Sequence, residues 1–216
     1  MSDLKNISIF EGLSEEELSA IEALAVTRNY PKNSVIINEG DIANAMYMVS
    51  SGKVRVYVSD DQGKEFILNS MGPGEYFGEL SLLDDEKRSA SVITTEKSTF
   101  SIIYKDEFTK AIEANPNLAM AMLRNLASSV RQLTDNIKTL ALQDVYGRIR
   151  KTLLNMAVEK GDIMVVEEKL TQQDIANRIG SSREMVARIL KDLTVGGYIL
   201  SERKQFQILK KLPESY

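Results

Sequence analysis

Residues 117–143 read NLAMAMLRNLASSVRQLTDNIKTLALQ, and the rest of the chain is organised around them. Ala119, Leu123, Leu126, Val130, Leu133, Ile137 and Leu140 recur at alternating spacings of four and three, the a/d repeat of a helix packed lengthwise on a partner. Arg124, Asn125, Ser128, Arg131, Gln132, Asp135, Asn136, Lys138 and Thr139 fill the positions between with polar groups. Such a helix can dock on its own domain or pair with a second copy of itself. With no other helical hairpin nearby in sequence, the seam favours a symmetric homodimer.

At 216 residues the chain is long enough for two modest domains. No apolar run approaches the length of a bilayer span, and Met1 to Phe10 carries no signal-peptide pattern, so a cytoplasmic protein without a membrane partner is expected. Cysteine and histidine are both absent. That excludes disulfides, iron–sulfur clusters, thiolate or imidazole metal sites and every Ser/His or Cys/His nucleophile, and the chain is not expected to be an enzyme. The net charge of −4 divides unevenly. Residues 144–216 hold 13 Lys and Arg against 10 Asp and Glu, a net of +3, leaving 14 against 21, a net of −7, for residues 1–143. Only the C-terminal part therefore suits double-stranded DNA.

Upstream of the long helix, residues 13–26 read as a short amphipathic helix with Ser14 as N-cap, Glu17 at the capping-box position and Leu18, Ile21 and Ala25 on one face. From Tyr30 to Tyr104 the period becomes two, as in Val35/Ile37, Met46/Met48, Val54/Val56/Val58 and Phe66/Leu68. Turn signals at Asn38–Asp41, Ser51-Gly52, Asp60–Gly63 and Gly72-Pro73-Gly74 cut this into short strands, the pattern of an antiparallel barrel or jelly roll.

One segment breaks the strand pattern: Phe77-Gly78-Glu79-Leu80-Ser81-Leu82-Leu83, then an acidic turn, then Lys87-Arg88-Ser89-Ala90-Ser91. Gly78 permits close approach of backbone to a ligand, and a helical turn opening there directs N–H groups at an anion. Arg88 has the fork geometry for two phosphate oxygens, Ser89 adds a hydroxyl, and Glu79 can accept from a ribose hydroxyl. The same residues also fit a plain β-turn with a surface Arg–acid pair.

Past residue 143 a second helix runs from Gln143 and Asp144 to about Val158, with Val145, Ile149, Leu153 and Met156 as its buried stripe and residues 159–162 as the connection that closes it. Thr171 then caps a helix ending at Gly180, and Ser181 with Glu184 forms an S-x-x-E box opening the next. Two short helices joined at a glycine are the helix-turn-helix pattern, with Met185, Val186, Ile189, Leu190 and Leu193 as its anchors. Arg183, Glu184 and Arg188 share the exposed edge of the second helix, where Arg suits guanine O6/N7 and Glu suits cytosine N4; a solvated charged face is the alternative. Residues 198–200 and 206–209 flank a turn with Arg203 and Lys204 at its tip, the pattern of a β-wing beside the DNA backbone.

The Gly78-Glu79-Leu80…Arg88-Ser89 segment resembles the phosphate-binding cassette of cyclic-nucleotide-binding domains, and the chain from about Phe10 to Lys210 resembles the CRP/FNR family of bacterial transcription regulators, nearest its cyclic AMP receptor branch. The resemblance implies an α+β fold: a jelly-roll sensor over residues 1–116, a dimerisation helix over 117–143 and a winged helix-turn-helix over 144–216. It implies a homodimer on a palindromic TGTGA-like operator, RNA polymerase as partner, and cyclic AMP as the first-choice effector. Ligand contacts are expected from Leu68, Gly78, Glu79, Leu80, Ser81, Arg88 and Ser89, with Glu79 on the ribose 2′-hydroxyl and Arg88 and Ser89 on the cyclic phosphate. Arg183, Glu184 and Arg188 match the family's base-contacting triplet, and Thr171, Gln173, Ser182, Lys191, Arg203 and Lys204 are expected on DNA phosphates. The chain departs from the branch at the purine. Where its members present a Thr-Ser or Thr-Asn pair, this sequence has Leu133 and Thr134, so Thr134, or Ser129 one turn earlier, is left to hold the base, and cyclic GMP, a cyclic dinucleotide or a vestigial pocket stand behind cyclic AMP. The missing Cys and His exclude the family's iron–sulfur and His-ligated haem sensors, and no metal is expected.

Overall fold

The computed structural model describes residues 7–10, 13–161, 163–202 and 205–214. They form two compact units, Met1–Asp60 with Ile67–Arg131 and Asp61–Phe66 with Gln132–Tyr216.

In the first unit α1 (Glu15–Leu24) opens on the expected capping box: the Ser14 hydroxyl accepts from the Glu17 N–H and the Glu17 carboxylate accepts from the Ser14 N–H at 2.6 Å. Eight strands follow: β1 (Val26–Tyr30), β2 (Val35–Ile37), β3 (Ala45–Ser51), β4 (Val54–Ser59), β5 (Glu65–Met71), β6 (Tyr76–Phe77), β7 (Ser91–Thr94) and β8 (Ser98–Tyr104). A single helical turn, α2 (Leu80–Leu83), lies between β6 and β7. The strands form two four-stranded sheets in the orders β1-β8-β3-β6 and β2-β7-β4-β5, the jelly roll.

Side-chain alternation along β3 divides the core in two. Ala45 and Val49 join Val54, Phe77, Val92, Phe100 and Ile102 between the sheets, whereas Met46 and Met48 face the helical layer with Leu18, Ile21, Ile103 and Phe108. The central strands are thus covered on both sides and read as continuous apolar runs rather than as simple alternation. The helical layer is completed by α3 (Lys105–Ala114) and by the start of α4 (Pro116–Leu142), whose Leu118, Ala121 and Met122 are buried. Proline at the first helical position needs no N–H partner, and the Asn115 side-chain oxygen accepts from the Asn117 and Leu118 N–H groups at 3.0 and 3.4 Å.

In the second unit α4 ends at Leu142 and α5 (Val145–Met156) starts after two intervening residues, with the Asp144 carboxylate accepting from the Gly147 N–H at 2.7 Å. Chain reversal at residue 161 is more ordered than the expected loop: β9 (Ala157–Lys160) and β10 (Ile163–Val166) pair as an antiparallel hairpin. α6 (Gln172–Ile179), α7 (Arg183–Val195), β11 (Ile199–Glu202) and β12 (Gln205–Ile208) complete a winged helix-turn-helix whose sheet runs β11-β12-β10-β9. Its core gathers Ile149, Leu153, Val166, Ile175, Val186, Ile189, Leu193, Ile199 and Phe206.

Thr171 caps α6 in a reciprocal box with Asp174, and Gly180 ends it in the left-handed region at φ 63°. The capping residue of α7 is Ser182 rather than Ser181. The Ser181 N–H donates to the Ala176 carbonyl at 3.1 Å, closing the turn behind α6; α7 starts at Arg183, so it is the Ser182 hydroxyl that accepts from the Met185 N–H.

Candidate ligand pocket and nucleic-acid interface

The jelly roll presents a cavity of about 110 Å³ around the segment that breaks the strand pattern. Gly78, Glu79, Leu80, Ser81, Arg88 and Ser89 all line it, together with Ile37, Val56, Met71, Phe77, Ala90 and Val92. Leu68 is not among them; it lies on β5 with 40% of its surface exposed. Val56 and Met71 come from the paired strands β4 and β5, and the Val54/Val56/Val58 alternation was the sequence signal that could have found the first of them.

Local packing explains how the segment is held. Phe77 stacks on Tyr47 with ring centres 5.1 Å apart and meets Phe100 edge-on at 5.5 Å, which fixes the strand entering the turn. Gly78 sits at φ 83°, and a Cβ there would stand 2.8 Å from Arg88 Nη1 and 3.1 Å from Ile37 Cδ1. Only glycine meets both conditions. The returning strand is pinned through its backbone: the Arg88 N–H donates to the Asp41 carbonyl at 2.9 Å, and the Gly40 N–H donates to the Arg88 carbonyl at 2.8 Å.

Arg88 itself is 5% exposed. Its Nη1 donates to the Gly78 carbonyl at 2.6 Å and its Nη2 to the Ala45 carbonyl at 2.5 Å, two of the five donors a guanidinium carries. The side chain is therefore a strut between the cassette and β3 as well as a cation at the cavity wall. Ser89 is exposed, while the Ser81 hydroxyl donates to the Lys87 carbonyl at 3.2 Å and braces the acidic turn. Burial raises the Glu79 carboxyl above its ordinary range, against the opposing pulls of its own backbone N–H and of Arg88. Tyr76 is pushed up to about 12, first by burial and then by the Glu79 charge, while a hydrogen bond with the Asn125 side chain works the other way.

Along α4, Ser129 and Thr134 are exposed. So is most of the a/d seam: Leu123, Val130, Leu133 and Ile137 expose 53–65% of their surface. Among the described residues this apolar stripe is left uncovered.

On α7 the buried stripe Val186, Ile189, Leu190 and Leu193 turns Arg183, Glu184, Arg188 and Lys191 outward to solvent. One Arg188 Nη lies 2.9 Å from Met185 Sδ. Of the expected phosphate contacts, the Thr171 hydroxyl donates to Asp174 at 2.6 Å, the Gln173 amide donates to Asn177 at 2.7 Å, and Ser182 is the α7 cap, so each also has a structural task. Arg203 and Lys204 lie outside the described residues. Among the described residues no group of carboxylates is placed to hold a metal ion, and no helix is long and apolar enough to cross a membrane.

A cassette-bearing jelly roll joined through a long helix to a winged helix-turn-helix is the architecture of a ligand-sensing, DNA-binding transcription regulator. The family profile for the cyclic nucleotide-binding domain matches residues 27–115, and that for the Crp-like helix-turn-helix domain matches residues 147–212. The CRP-like cAMP-activated global transcriptional regulator of Mycobacterium tuberculosis is 31% identical over 95% of this chain and 93% of its own. The cAMP-activated global transcriptional regulator CRP of Haemophilus influenzae is 38% identical over 76% of this chain and 75% of its own. The solved structure of the c-di-GMP responsive global regulator CLP of Xanthomonas campestris superposes with a TM-score of 0.81 over 92% of this chain and 100% of that one, at 24% identity, and shares the fold. The chain belongs to the CRP/FNR family of transcription regulators.

Proposed function

We propose that this protein is a homodimeric regulator whose affinity for a palindromic TGTGA-like operator is controlled by a cyclic nucleotide, with cyclic AMP the first choice. The observation that carries the reading is the convergence of Glu79, Arg88 and Ser89 on one cavity of the sensor unit. An acceptor for a ribose hydroxyl, a guanidinium and a free hydroxyl there suit a cyclic sugar phosphate. The uncovered seam of α4 supports pairing with a second copy, and the outward Arg183, Glu184 and Arg188 support base reading in the major groove. Two recognition helices about 34 Å apart would then read the half-sites. Lys191, Arg203 and Lys204, with Thr171, Gln173 and Ser182, would fix register on the phosphates. RNA polymerase is the expected protein partner and the cytoplasm the expected compartment.

The switch works by differential binding, with the joint at Gln143 and Asp144 between α4 and α5 as the place where the reader is re-set. Moving a two-state equilibrium from one extreme to the other takes about 5.5 kcal/mol, about 2.7 from each of two sites. A polar purine contact is worth about 1 kcal/mol, so Leu133 in place of a hydroxyl predicts a blunted cyclic AMP response. That residue favours the second reading, in which cyclic GMP or a cyclic dinucleotide is the effector, or the pocket is vestigial and DNA binding constitutive. Operator affinity measured by fluorescence anisotropy, with cyclic AMP, cyclic GMP and cyclic di-GMP added in turn, tests both. A gain with one nucleotide identifies the effector; equal affinity in all four conditions assigns the constitutive reading.

A further inference from the structure

Arg188 is held by a sulfur atom where its helix also offers a carboxylate. Glu184 and Arg188 stand four residues apart on α7, acid before base, the order and spacing at which an exposed helix pair forms most readily. Among the described residues neither side chain has an ion pair, and the one side-chain hydrogen bond of Arg188 runs from Nη2 to Met185 Sδ at 2.9 Å. Met185 is itself half-buried and packs against the core of the second unit, so the sulfur is a fixed acceptor. It lies three residues before Arg188, and the guanidinium is thereby drawn back toward the start of α7, the end that enters the major groove in a helix-turn-helix. A neutral thioether accepts weakly and cancels no charge. Arg188 keeps its charge and its other donors, and the Glu184 carboxylate keeps both oxygens, as reading guanine and cytosine edges requires.

We propose that Met185 is a positioning residue for base reading: its sulfur holds Arg188 toward the groove and apart from Glu184. Met185 itself reads no base and acts through Arg188. Without the sulfur, the guanidinium either gains full rotamer freedom or closes on Glu184, and either state has to be reversed before the helix can bind. Ordering one long side chain and parting one exposed pair together lower operator affinity by about three- to tenfold.

The inference rests on the reading of Arg183, Glu184 and Arg188 as base contacts, and the experiment separates the two. Full-length protein is titrated by fluorescence anisotropy against the TGTGA-like duplex and a panel of its single-substitution variants, in whichever of the four nucleotide conditions above wild type binds most tightly. Met185→Leu keeps the volume and the core contact and removes the acceptor. It should lose about three- to tenfold on the parent duplex and flatten the preference at the base pairs that Arg188→Ala and Glu184→Ala flatten, leaving the one that Arg183→Ala flattens unchanged. In an Arg188→Ala background the same change should cost less than about 1.5-fold, having nothing left to position. Met185→Gln, whose side-chain oxygen sits one bond further out than the sulfur, should recover most of the lost affinity and preference. Thermal melting checks that each variant is folded. Wild-type affinity and preference in Met185→Leu, an equal loss with and without Arg188, or a uniform loss across the panel that Met185→Gln leaves unrecovered overturns the positioning role while base reading by the triplet stands. A wild type with no preference among the duplexes in any condition removes base reading and the positioning role together.

Discussion

Replacing Arg88 by leucine should unsettle the nucleotide-free protein, well beyond any effect on ligand affinity. The guanidinium occupies a site that is 5% exposed and satisfies two backbone carbonyls, those of Gly78 and Ala45, which belong to different strand segments. Removing it leaves both oxygens without a donor in a closed environment, at about 1–3 kcal/mol each, so about 2–6 kcal/mol for the pair. Lysine offers one ammonium nitrogen where the guanidinium offers two terminal nitrogens, and reaches both carbonyls less well; Arg88→Lys should fall between leucine and wild type. The assay is urea denaturation without nucleotide, followed by tyrosine fluorescence, to which the sensor unit contributes five of the eight tyrosines; its transition should move to a lower midpoint with an unchanged slope. Wild-type stability within about 0.5 kcal/mol in Arg88→Leu, the size of an ordinary surface change, would refute the claim that this arginine is a strut.

Further expectations concern pH, assembly and base reading. Because burial lifts the folded Glu79 carboxyl above its ordinary 4.5, the folded state holds that proton more tightly; the associated stability is complete below the unfolded value and is lost as pH rises through the folded one. Glu79→Gln should therefore make the nucleotide-free protein more stable than wild type near pH 8, converging with it near pH 4 in paired denaturation series, while abolishing nucleotide binding. Val130→Asp with Ile137→Asp places carboxylates at two equivalent seam positions that expose 61% and 65% of their surface in the single chain. Each loses about 1.5–3 kcal/mol of apolar burial per protomer, so sedimentation at micromolar concentration should show a monomer where wild type gives a dimer. Arg183→Ala should cost about 1–3 kcal/mol in operator affinity and relax the preference at one base pair of each half-site, measured against a panel of single-substitution duplexes.

The patterned features were open to sequence reasoning. The Ser14/Glu17 box, the Thr171 cap and the Gly180 stop are local chemistry within three or four residues, and the helical repeat of α4 is periodicity over three heptads; the caps, the stop and the helix stand where expected. Long-range competition was not legible. Ser181 and Ser182 are equivalent in sequence; Ser181 is taken into the turn that closes α6, its N–H bonded back to Ala176, and α7 starts one residue later than the box implied. β9 and β10 are too short to show a period, and β10 is paired with the distant β12 as well as with β9. The site divided along the same line. Gly78 to Ser81, with Arg88 and Ser89, fell around one cavity, but Leu68 did not, and Met71 and Ile37 did, because strand pairing rather than spacing decides which apolar side chains face it. Arg88's attachment to Ala45, 43 residues away in sequence, leaves no local trace at all.

That attachment bears on how such proteins diverge. A descendant that stopped responding to nucleotide would still need a guanidinium to tie two segments of its barrel together, and a small residue at Gly78 to make room for it. Folding alone would preserve the signature long after the signal had gone. In this lineage the pair testifies to an intact scaffold, and whether anything is being sensed must be learned from positions, such as Ser89 and Leu133, that the scaffold could lose without collapsing.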